Sequence, residues 1–130
     1  MEIQELVKKA FQRDLSDPSA LNDAFDSLRL LEPEDFTLAH ERNKEVRRLS
    51  AKFATEQKSL RMFELNKRSL LFDAPYDFDC FLRYIEWNRP NDKRFYLPRR
   101  KVLVPIVNAF QQVADGELDL LTVSQPKRTG

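Results

Sequence analysis

Only two of the 130 residues are glycine, where average usage of about 7% would supply roughly nine. A glycine-poor chain has few tight turns, which favours long helices over a sandwich or barrel. The single cysteine, Cys80, excludes an internal disulfide and a cysteine-rich zinc site. The single histidine, His40, leaves no basis for a histidine-built metal centre or a Ser-His-Asp triad. No apolar run approaches the roughly 20 residues needed to cross a bilayer, and Met1 is followed by Glu2 rather than by a basic, apolar leader. The expectation is a cytoplasmic chain with no membrane partner.

Charge is plentiful but segregated. A formal net charge of +1 hides an acidic start over residues 1–38, a basic block over 39–72, an acidic stretch over 73–88 and a second basic block over 89–101. Alternating blocks of this kind read first as solvated faces that attract one another within the fold. A phosphate or nucleic-acid surface is the second reading.

Helical spacing begins at once. Ile3, Leu6, Val7, Ala10 and Phe11 form one stripe, and Ala20, Leu21, Ala24, Phe25 and Leu28 form another. Asp17 and Pro18 between them are a cap and a first-turn proline, so the two segments are expected to pair as a helical hairpin. Residues 33–72 then contain no glycine and no internal proline, and are expected to form the longest element. Ala39, Val46, Phe53 and Leu60 recur every seven residues, with Leu49, Phe63 and Leu70 at companion positions and Arg42 and Glu56 interrupting them, an imperfect heptad seam. Forty helical residues would span about 60 Å, too long for two short helices to cover. Either the element breaks near Glu56, Gln57, Lys58 and Ser59, or part of it is exposed for a partner. His40, among charged neighbours, reads as a surface residue.

Asp73, Ala74 and Pro75 end that element. The aromatic-rich run after them offers Phe78, Phe81, Leu82, Ile85 and Trp87 as inward-facing residues, and Cys80 as a buried, inert thiol. Residues 88–93 have loop composition and suggest a domain boundary. The expected organisation is a helical region over 1–87, a linker over 88–97 and a further unit over 98–130. In that unit Val102, Leu103, Ile106, Val107, Phe110 and Val113 repeat at helical spacing from Pro98 to about Ala114. Pro105 would kink the helix or begin it, and Gly116 would stop it. Residues 119–124 read as a short buried strand. The fold class is therefore mainly α: a helical hairpin, a long helix and further helices, with one short C-terminal strand.

That strand runs into Gln125, Pro126, Lys127, Arg128, Thr129 and Gly130. A P-loop needs an apolar strand, a loop whose N–H groups wrap phosphates, and Gly-Lys-Ser/Thr entering a helix. Together with the Phe95-Tyr96-Leu97-Pro98-Arg99-Arg100 segment, the run from Tyr84 to Gly130, about a third of the chain, resembles the start of the ATPase domain of the large terminase subunit of tailed bacteriophages. The segment from Ala74 to Phe81 resembles the helical N-terminal region of such subunits.

The resemblance implies an ATP-driven motor that packages DNA into capsids in a bacterial host cell, with ATP and Mg2+ as cofactors of the full-length parent. It places Tyr96, Leu97, Pro98 and Arg99 beside the base, and Gln125 to Gly130 as the first half of the phosphate cradle. Gln125 stands where the general pattern has its first glycine, and Lys127 or Arg128 supplies a basic residue. The ATPase lysine, the magnesium-binding acid, the catalytic glutamate and the nuclease domain would lie beyond Gly130. No catalytic residue and no metal ligand is assigned within the chain, which is expected to be inactive alone. Expected partners are a small terminase subunit, a portal protein or a second copy through the helical region, and DNA for the parent. Two further readings stand beside this one: a stand-alone helical interaction module, and a nucleic-acid binder using the 89–101 block with Phe95 and Tyr96 as stacking platforms.

Overall fold

The structure, a computed structural model, describes residues 3–117. They form α1 (Ile3–Gln12), α2 (Pro18–Ser27), α3 (Phe36–Glu56), α4 (Leu60–Asp73), α5 (Phe78–Ile85) and α6 (Tyr96–Ala114), and no strand occurs among the described residues. The expected strand over 119–124 and the segment 125–130 lie outside them. Contacts divide the chain into two units, Met1–Phe72 and Asp73–Gly130.

The first unit starts as the sequence dictates. Asp17 Oδ1 accepts the Ser19 N–H at 3.0 Å and Pro18 occupies the first helical turn of α2, where a missing donor costs nothing. All five residues of the α2 stripe (Ala20, Leu21, Ala24, Phe25 and Leu28) are buried. They join Val7, Leu31, Ala39, Val46, Phe53, Met62 and Leu65 in one apolar core. Fully burying a side chain of this size is worth about 1.5–3 kcal/mol.

Residues 33–72 are not one helix. α3 ends with the Gln57 N–H on the Phe53 carbonyl at 3.0 Å, Lys58 takes φ +49°, and the Ser59 hydroxyl accepts the Met62 N–H at 3.2 Å. Ser59 therefore caps a new helix, α4, one residue after a left-handed stop. The break falls in the polar stretch, and α3, with 21 residues, is the longest described helix.

Between α3 and α4 runs a polar seam rather than a purely apolar one. Asn43, Arg47, Ser50, Asn66 and Ser69 are all buried. Asn43 Nδ2 donates to the Ser69 carbonyl at 2.8 Å, and the Ser69 hydroxyl donates to Asn43 Oδ1 at 2.8 Å. Asn66 Nδ2 donates to the Arg47 carbonyl at 2.9 Å and to Ser50 Oγ at 3.1 Å. His40 also differs from its surface reading: it is half-buried, with the rings of Phe36 and Phe72 each 6.0 Å away, edge-on.

In the second unit α5 packs against α6. The turn joining them is pinned by Arg94, which donates to the carbonyls of Glu86 (3.1 Å) and Trp87 (2.8 Å) and to Asn91 Oδ1 (3.2 Å). Residues 88–93, where the sequence suggested a boundary, thus connect two helices of one unit. α6 begins at Tyr96, two residues before Pro98, and continues through Pro105. Of its expected inward stripe, Val107 is buried, whereas Val102, Phe110 and Val113 are exposed. Phe81 and Ile85 of α5 are exposed as well. An eight-residue α5 is too short to cover both sides of a nineteen-residue α6. Gly116, at φ +79°, ends α6 with its N–H on the Val113 carbonyl (3.1 Å) and the Glu117 N–H on the Gln112 carbonyl (2.8 Å), the paired bonds of a left-handed helix stop.

Candidate functional site

The start of α6 carries Tyr96, Leu97, Pro98 and Arg99, the residues that the terminase resemblance would put beside a nucleotide base. A helix N-terminus leaves its first N–H groups without intrahelical partners. Here Glu86, buried just after α5, accepts the N–H of Phe95 (2.9 Å), Tyr96 (2.9 and 3.1 Å) and Leu97 (2.9 Å). The next residue, Pro98, has no N–H to satisfy. Every free donor at this end is therefore accounted for by one carboxylate and one proline. Burial pushes the Glu86 carboxyl up, but the Tyr96, Leu97 and Phe95 amides and the charge of Arg89 outweigh it, so the group titrates below its ordinary range.

A second acid holds the same turn from its flank. Asp79 accepts Arg100 Nε and Nη2, both at 2.9 Å, and the Tyr96 hydroxyl, with Arg83 Nη1 3.6 Å away. Burial opposes the charge on Asp79, yet the hydrogen bonds from Arg100 and Tyr96 and the two guanidinium charges hold its pKa below the usual value. Burial first, and the bond to Asp79 second, push the Tyr96 phenol well above its ordinary pKa. Tyr96 thus stays a neutral donor.

These bonds sort the predicted base-side residues. Tyr96 is buried with its hydroxyl engaged, so it is a strut rather than a stacking platform. Leu97 is half-buried and Pro98 exposed. Arg99 places its guanidinium 4.8 Å from the centre of the Phe95 ring and donates Nη1 to the Phe95 carbonyl at 3.0 Å. Phe95 is 51% exposed. Among these residues the structure thus pairs one exposed ring with a guanidinium, Phe95 with Arg99, at the start of the helix. Gln125, Pro126, Lys127, Arg128, Thr129 and Gly130 lie outside the described residues.

The basic block over 89–101 is largely engaged internally: Arg94 holds the loop, Arg100 pairs with Asp79, and Arg89 lies 3.7 Å from Glu86. That weakens its reading as a phosphate-binding face.

An open groove of about 550 Å3 lies elsewhere in the same unit, lined by Tyr76, Phe78, Phe81, Phe110 and Gln111 among others. Gln111 organises it. Its Nε2 donates to the Tyr76 carbonyl (2.9 Å) and to Asp115 Oδ1 (3.0 Å), and its Oε1 accepts the Phe78 N–H (2.6 Å). Phe78 stacks with Phe81 at 6.4 Å and meets Phe110 edge-on at 6.3 Å. Nothing in the spacing of Glu86, Asp79 or Gln111 marked them beforehand, because each acts on a backbone or side chain 9 to 35 residues away.

Asp77, Asp79 and Cys80 bring ligand-type atoms within 4.8 Å of one another at the start of α5. Asp77 Oδ1 accepts the Cys80 N–H at 3.3 Å as the helix cap, Asp79 is committed to two arginines, and the Cys80 side chain is buried. Capping and ion pairing account for these two carboxylates.

No family model, no curated protein and no solved structure matches this chain. No helix among the described residues is long and apolar enough to cross a membrane.

Proposed function

We propose that this chain is the N-terminal part of a phage terminase large subunit, the ATP-driven DNA-packaging motor, contributing the base side of the nucleotide site and a helical docking region. The observation that supports this reading is the exposed Phe95–Arg99 stack, held at the start of α6 by Glu86. Purine rings bind such platforms through their π-faces. Lys127 to Gly130 would begin the phosphate cradle, and ATP with Mg2+ would be completed by parts of the parent that this sequence does not contain. Alone, the chain is expected to bind ATP no more tightly than the millimolar range, about −4 kcal/mol, and to show no turnover. DNA is a partner of the parent only. A small terminase subunit or a portal protein would dock on the helical region.

Titrating ATP into the labelled chain and following amide shifts tests this. The expected shifts centre on residues 95–99 and vanish in Phe95→Ala. Shifts elsewhere, or none at 10 mM or so, remove the support for a nucleotide site.

The second reading, a helical interaction module that needs no nucleotide, is favoured by the aromatic groove around Phe78, Phe81 and Phe110. It predicts that Phe95→Ala has no consequence for function while Phe110→Ala does.

A further inference from the structure

We infer that the outer face of α4 is a self-complementary surface that pairs two copies of this chain antiparallel. α4 buries Met62, Leu65, Asn66, Ser69 and Leu70 on one side. On the other side it exposes Leu60 (82%) and Leu71 (50%), which lie outside the apolar core of its unit. At 3.6 residues per turn, Leu60, Glu64, Lys67 and Leu71 fall within an arc of about 60° along about 16 Å of helix. They are ordered apolar, acidic, basic, apolar.

That order reads as its own complement when reversed. Place a two-fold axis at the level between Leu65 and Asn66, and Leu60 of one copy stands opposite Leu71 of the second copy. Glu64 then stands opposite Lys67 of the second copy, and both contacts occur twice, as a closed two-fold interface requires. A parallel pairing in register would set Glu64 against Glu64 and Lys67 against Lys67, which like-charge repulsion disfavours. The charge pattern therefore selects both the occupant and its direction. One helix face is smaller than the roughly 1,200–2,000 Å2 of a standard stable interface, so the pair is weak, with a dissociation constant of about 0.1 mM. This inference does not depend on a nucleotide site.

Sedimentation equilibrium on the full chain at low salt, with Glu64→Lys, Lys67→Glu and the double variant, tests it. Both side chains lie on the outer face, so helicity by circular dichroism should not change. Each single reversal creates two like-charge contacts per dimer and should weaken association about tenfold. The double variant, and an equimolar mixture of the two single variants, should restore it to within about twofold of the original. Restoration in both supports the antiparallel register. A chain that stays monomeric throughout, single reversals without effect, or a double variant as weak as the singles overturns it.

Discussion

Both carboxylate oxygens of Glu86 rest on the backbone N–H of Tyr96, at 2.9 and 3.1 Å, and the same carboxylate takes the N–H groups on either side. Replacing Glu86 with alanine leaves these donors without their acceptor. At about 1–3 kcal/mol for each unmet buried donor, and with partial rescue by water, Glu86→Ala should cost at least about 3 kcal/mol. Glu86→Gln retains one acceptor oxygen and should fall between. Urea unfolding measures the loss, and hydrogen exchange at residues 95–97 localises it. Unchanged exchange there would mean that the carboxylate is not their acceptor.

Acid should act through the same group. The Glu86 and Asp79 carboxyls both titrate lower in the folded chain than their ordinary values, so between the two values the unfolded chain binds more protons. Stability from these groups is complete above the ordinary carboxylate range and is lost as pH falls through the depressed folded values. Thermal midpoints measured from pH 7 down to about 2 should fall at the acid end. Glu86→Gln should flatten that fall, and a profile as steep as that of the unaltered chain would exclude Glu86 as its source.

What the sequence revealed depended on how local each cause is. Asp17 and Pro18 act within one turn, and the start of α2 and its five-residue stripe followed directly. The break after Glu56 was legible as a polar stretch, but Ser59 as a cap and Lys58 as a left-handed stop decided between one helix and two. Asn43, Arg47, Ser50, Asn66 and Ser69 look like surface residues in any window, because their partners lie 16 to 26 residues away. The same holds at the candidate site. Aromatic and guanidinium chemistry at 95–99 was visible, whereas only the Asp79 contact shows that Tyr96 is a strut and leaves Phe95 as the exposed ring.

Within the seam between α3 and α4, Asn43 and Ser69 should behave as a unit. Asn43→Ala removes the Oδ1 that accepts the Ser69 hydroxyl and one of two donors to the Ser69 carbonyl, leaving the residue 43 backbone carbonyl and Arg47 Nη1 as their partners. It should cost about 1–2 kcal/mol. Ser69→Ala removes the hydroxyl that donates to Asn43 Oδ1 but keeps the carbonyl that accepts Asn43 Nδ2, and should cost about 1 kcal/mol. Because each single change already breaks the bond from the Ser69 hydroxyl to Asn43 Oδ1, the double variant should lose less than the sum, by about 1 kcal/mol. Additive losses in a double-mutant cycle would show that the two side chains are not coupled.

The α3–α4 stop offers the sharpest backbone test. Lys58 adopts φ +49°, a conformation that costs an L-residue with a Cβ about 1–2 kcal/mol. Glycine removes that cost but adds about 0.5–1 kcal/mol of chain entropy to the unfolded state. Lys58→Gly should therefore be neutral to stabilising by up to about 1.5 kcal/mol. Valine, branched at Cβ, fits the left-handed region worst, so Lys58→Val should destabilise by about 1–2 kcal/mol. Ser59→Ala, which removes the cap while leaving φ at Lys58 unaffected, should cost about 1 kcal/mol. Thermal unfolding of the three variants ranks them. If valine is tolerated as well as glycine, residue 58 is not held left-handed, and α3 and α4 join through a smoother bend than a helix stop.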